Sequence, residues 1–206
     1  MPRIAVVPKA RAKLIAIASP DQAGQPECNA WRLYDTQNAT TATTPTLIFF
    51  QTVNVDKTLS NMEGPGQLPD PQFYEIAGFE CDVLSAPVSA ATFLGPYNDI
   101  ANLLFTTRGI FTFNMSNKRY GPWPLTAAHG TGGPVGVMSN NATPPIFSQA
   151  AVNGIFDGGF WADKQIVIPP KIGFDTTLNF GAAVTLNLSP TPIRFVLWGV
   201  LHRRVL

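Results

Sequence analysis

Charge is what this chain has least of. Only 13% of its 206 residues are Asp, Glu, Lys or Arg, roughly half the ~25% usual in soluble domains. The charges nearly cancel, at a net +1, which excludes global steering toward nucleic acid or an anionic membrane. Histidine is scarcer still, with only His129 and His202. A metal site of the cupin type needs several histidines and a carboxylate converging inside a barrel, so no metal is expected. Cysteine is limited to Cys28 and Cys81, which have no metal-ligand spacing. They could pair, but two reduced thiols are the expected state where no secretory signal precedes them, with Cys81 serving as a small core hydrophobe. No apolar run reaches the ~20 residues of a membrane-spanning helix. The opening stretch, Met1 to Ala18, is interrupted by Arg3, Pro8, Lys9, Arg11 and Lys13 and lacks the continuous apolar region of a secretory signal. The expectation is synthesis in the cytoplasm, with the sequons at Asn38, Asn114 and Asn141 as chance matches.

Catalytic patterns are equally thin. His129 lies in Ala128-His-Gly-Thr-Gly-Gly-Pro, but a phosphate-cradling loop needs a Lys-Ser/Thr pair opening a helix, and a nucleophile elbow needs a Ser between glycines. Neither occurs there, and the stretch reads as a surface loop. Glu80 and Asp82 are two residues apart on a strand pattern, about 7 Å by strand rise. Such a carboxylate pair is commoner on a solvent face than in a glycosidase site. The expectation is therefore no catalytic residue, no cofactor and no small-molecule substrate: a protein that is not an enzyme.

What is plentiful is apolar and β-forming. Hydrophobic residues make 45% of the chain and aromatics 11%, with 14 Phe. So much apolar supply beside so few charges fits either a large sandwich core or flanks covered by neighbouring subunits. The 19 Pro and 17 Gly are spread over many turns. Short β-rich runs lie between them: Leu47 to Val55, Phe73 to Leu84, Arg108 to Met115, and a closing series from Gln165 to Leu206. Its last run, Ile193-Arg-Phe-Val-Leu-Trp-Gly-Val-Leu-His-Arg-Arg-Val-Leu, is apolar on both faces, which predicts a central strand. In the run from Phe73, alternation predicts Phe73, Glu75, Ala77, Phe79, Cys81 and Val83 on one face, and Tyr74, Ile76, Gly78, Glu80 and Asp82 on the other. Asn98 to Phe105 is the best helix candidate, with Asn98 or Asp99 to cap it.

About eight strands, two long irregular loops and no self-similar period point to an all-β fold, a single jelly-roll β-sandwich of antiparallel strands. An extended N-terminal arm and Thr-rich linker would occupy residues 1–46, and the jelly roll 47–206. The arm carries Arg3, Lys9, Arg11 and Lys13 before any acidic residue. It reads as a solvated or subunit-exchanging segment, and as a candidate contact for nucleic acid or an anionic lipid surface, which in a capsid would be genome or internal lipid. Trp123, Trp161, Arg203 and Arg204 are further candidate contact residues; Tyr120, Trp123, Phe160 and Trp161 could also stack sugar rings or anchor loops in an interface.

Phe49-Phe50-Gln51, Thr58 to Met62, Gly66-Gln-Leu-Pro69 and the following Pro71-Gln-Phe-Tyr resemble the opening of jelly-roll capsid proteins from tail-less bacteriophages. Arg108-Gly-Ile-Phe-Thr-Phe, Pro122-Trp-Pro-Leu and Ile193-Arg-Phe-Val-Leu-Trp-Gly resemble the same group. The likeness is patchy and spans residues 47–206. It implies a capsid subunit with two facing four-stranded sheets and no catalytic residues, found in the virion, with copies of itself and other virion proteins as partners. The known double jelly-roll members are longer; 206 residues suit one roll. The expected function is thus a self-assembling shell subunit. The alternatives are a minor capsid or decoration protein of the same fold, and a carbohydrate-binding β-sandwich module.

Overall fold

The computed structural model describes residues 26–43, 45–54, 56–84, 99–100, 102–128, 136–139, 148–151, 160–187 and 189–204. Its strands are β1 (Pro26–Ala39), β2 (Thr46–Phe49), β3 (Phe73–Val83), β4 (Ile110–Met115), β5 (Lys118–Pro124), β6 (Gly136–Ser139), β7 (Ser148–Ala151), β8 (Phe160–Ile168), β9 (Phe174–Asn179) and β10 (Thr191–Arg204). Eight of them form two four-stranded antiparallel sheets, ordered β1-β10-β3-β8 and β2-β9-β4-β5; β6 and β7 make a separate hairpin. The result is a jelly-roll-like β-sandwich. Between β3 and β4 only a short π-helical turn, Asn102–Thr106, follows the helical Asp99 and Ile100, where the sequence predicts a helix over 98–105.

The long apolar run at the C-terminal end becomes β10, an inner strand paired on both sides. Its alternate residues Ile193, Phe195, Leu197 and Leu201 enter the core, and so do Tyr74, Ile76, Phe79 and Cys81 from β3. Phe79 is the hub between the sheets. Its ring centroid lies 5.6 Å from Phe111, 5.8 Å from Phe113 and 5.3 Å from Trp123. These tilted contacts suit the ring quadrupoles and add about 0.5–1.5 kcal/mol per pair beyond burial.

Two features depart from the sequence expectation. First, β1 pairs with β10 over its whole length, Pro26 to Ala39, so the sandwich begins within residues that composition assigns to arm and linker. Trp31, Tyr34 and Thr36 are strand formers, and β10 supplies a partner that composition cannot reveal. Second, the register between β3 and its neighbours shifts around Ala77. This bulge leaves Ala77 exposed and reverses the alternation. Tyr74 and Ile76 therefore share the core face with Phe79 and Cys81, while Glu75 joins Glu80 and Asp82 on the outer face.

Opposite the bulge stands Gly199, where an added Cβ would lie 1.9 Å from the Glu75 carbonyl oxygen and 2.9 Å from the Tyr74 ring. The Tyr74 hydroxyl shares its proton between the carbonyls of Trp31, at 2.7 Å, and Leu197, at 2.6 Å. It thereby ties β3 to two other strands of its sheet. Burial pushes this phenol above its ordinary range, so it stays a donor.

Candidate functional site

β1 is an edge strand, and an uncovered edge invites pairing with other chains. Here the loop after β2 covers its middle, from Arg32 to Asp35. The Asn61 side chain accepts the Tyr34 N–H at 2.9 Å and donates to the Arg32 carbonyl at 2.6 Å, while the Asn61 N–H donates to the Tyr34 carbonyl at 3.2 Å. Inside, the buried Asp35 carboxylate accepts the Phe50 N–H at 2.7 Å and the Gln37 amide at 3.0 Å. Phe50 has φ 72, a left-handed conformation that costs a bulky residue about 1–3 kcal/mol. The Asp35 bond, a Gly66 N–H donated to its carbonyl at 2.7 Å and packing on Phe174 hold it there.

The outer face of the β1-β10-β3 strands carries an ordered polar band. The Arg32 guanidinium lies 3.5 Å from the centroid of Trp198, whose indole N–H donates to the Glu80 carboxylate. Arg194 lies 4.9 Å over Tyr34 and donates to Thr36 and to the Thr58 carbonyl. Such stacking orients each cation and retains its charge. Glu80 is 2% exposed, so it is no solvent-face carboxylate. Asp82 beside it is pushed up to about 6, first by burial and then by the Glu80 charge, against the pull of Arg194 and Arg32.

Farther along the same face, the Cys28 sulfur lies 3.1 Å from Nδ1 of His202. Nε2 of that ring lies 3.7 Å from the Glu75 carboxylate. Cys28 is directly opposite His202 in the β1–β10 register, and Glu75 lies diagonally across on β3. The thiol and carboxylate address opposite nitrogens of the ring and do not converge on a point. Among the described residues no cluster of His, Cys, Asp and Glu has metal-binding geometry.

On the core side, one end of this sheet opens into a cleft of about 100 Å³. Its apolar walls are Trp31, Leu33, Met62, Leu68 and Leu201, and its polar rim includes Asn29, Glu63, Gln67, Gln72 and Arg203. Trp31 is 46% exposed. The half-exposed indole gives this cleft one flat stacking surface, and the amides and charges around it give a hydrogen-bonding rim.

Of the sequence-predicted contact residues, Trp123 and Arg203 lie in different sheets. Trp123 is half-buried on β5, against Phe79 and Phe111. Arg203 is exposed at the rim of the cleft. Trp161 and Arg204 lie in β8 and β10, with only their backbone described. Arg3, Lys9, Arg11, Lys13, His129 and Asn141 lie outside the described residues. Cys81 is a fully buried free thiol whose ionisation burial opposes. Trp31, Arg32 and the Cys28–His202 pair carry no motif; their only signal is the β-rich run around Trp31, and its partner strand is remote in sequence.

No family model, curated protein or solved structure matches this chain. What stands is an all-β, two-sheet antiparallel sandwich with little helix. No helix among the described residues is long and apolar enough to cross a membrane.

Proposed function

We propose that the chain is a structural subunit of a bacteriophage shell, working by self-association and not by catalysis. The pairing pattern supports this reading. β1 pairs with β10, β2 with β9, β3 with β8 and β4 with β5, and the ribbon so formed rolls up to place β10 beside β3 and β9 beside β4. With the β6–β7 hairpin set aside, this order fits two nested Greek keys, an architecture shared by viral capsid and lectin domains. The low charge noted above agrees with flanks that other copies cover. Light scattering on the full chain, followed by electron microscopy, tests it. Discrete large assemblies are expected as concentration rises, and removal of residues 1–25, with their four basic side chains, should weaken assembly while the sandwich still folds. A chain that stays monomeric at every concentration would overturn the reading.

A carbohydrate-binding module is the second reading, favoured by the half-exposed Trp31 in its polar-rimmed cleft. It expects a monomer that retains glycans on an array and loses them on Trp31→Ala.

A further inference from the structure

The geometry points to Cys28 as a reactive thiol, built to exchange with low-molecular-weight disulfides. A nucleophilic sulfur needs a base within hydrogen-bond reach, and the base works best when a third group favours its charged form. Here the half-buried Cys28 sulfur is 3.1 Å from Nδ1 of His202, and the Glu75 carboxylate is 3.7 Å from Nε2 on the ring's other side. His202 and Glu75 are 8% and 7% exposed, so their mutual attraction is little screened. Three adjacent strands deliver these groups, which fixes their spacing more firmly than loops would.

The step balances without any further reagent. Nδ1 takes the thiol proton as the Cys28 sulfur attacks one sulfur of the disulfide. A new S–S bond forms, the old one breaks, and the departing thiolate receives the proton from the imidazolium. Cys28 is oxidised to a mixed disulfide while the leaving half is reduced to a thiol. Glu75 acts through His202, as a positioning residue. Cys81 is enclosed in the core and takes no part.

The test uses the full chain, oxidised glutathione as probe and intact-mass detection. One adduct is expected, on Cys28, formed at least tenfold faster in the folded chain than at the same cysteine in urea. His202→Gln should remove that acceleration. Glu75→Gln should lower the rate about threefold and shift the nitrogen resonances of the His202 ring. Protection of Cys81 in each variant certifies the fold, and the folded-against-unfolded comparison needs no variant at all. Equal rates in folded and unfolded wild-type chain would overturn the assignment, as would a rate unchanged by both substitutions.

Discussion

Replacing Gly199 by alanine tests the arrangement on which both the outer band and the cleft depend. The new Cβ would stand 1.9 Å from the Glu75 carbonyl oxygen, whereas ordinary contact begins at 3.4 Å. The obstacle is backbone, so no rotamer change relieves it. β3 and β10 would have to part by on the order of 1.5 Å beside the bulge, more than enough to weaken the flanking ladder bonds. Overpacking of this kind costs ~1–3 kcal/mol, and two compromised backbone bonds add ~0.5–1.5 kcal/mol each. The Tyr74 ring, 2.9 Å from the same Cβ, would carry the strain to its hydroxyl contacts. The expected loss is about 3–5 kcal/mol, a large part of the ~5–15 kcal/mol that holds a typical domain together. Urea titration followed by tryptophan fluorescence measures it, with Gly173→Ala as the control. Gly173 has no neighbour within 4 Å of an added Cβ, and its substitution should change stability by less than ~0.5 kcal/mol. A Gly199→Ala protein within ~1 kcal/mol of wild type, with the same denaturant dependence, would refute the β3–β10 register.

Asp35→Ala should cost about 2–3 kcal/mol in the same titration, because it strands the buried Phe50 N–H; Asp35→Asn, which keeps an acceptor, should cost about 1 kcal/mol. Tyr74→Phe should cost about 1–2 kcal/mol, since two carbonyls lose their shared donor. Asp82 gives a pH dependence. Its folded value of about 6 lies above the ordinary 3.8, so between those values the folded chain holds more protons than the unfolded one. Its contribution to stability therefore falls as pH rises from about 4 to 6 and stays low above that, by on the order of 1–3 kcal/mol. Asp82→Asn should flatten this part of the profile in thermal melts from pH 4 to 7; an identical slope in the variant would remove Asp82 as its source.

Much of the class was legible in the residues. Pro and Gly punctuation between β-branched and aromatic runs specifies short antiparallel strands. A closing run apolar on both faces specifies an inner strand. These are local signals, carried by the side chains of consecutive residues. Composition assigns β1 to arm and linker because nothing local distinguishes an edge strand of mixed polarity from an exposed extended segment. Glu75 lies on the face opposite to the one alternation gives it, because one bulged residue, Ala77, reverses every side chain before it.

Composition and periodicity alone determined an all-β chain, poor in charge and rich in phenylalanine, with its longest apolar strand inside a sheet. Only the tertiary structure decided which strands are neighbours. That choice set Arg32 over Trp198, Asp35 under the Phe50 N–H, and Cys28 against His202 from opposite ends of the sequence. The physical reason is that strand pairing is made by backbone groups that every residue carries. The partner of a strand is therefore settled by how the whole chain buries its apolar faces, which no single stretch encodes.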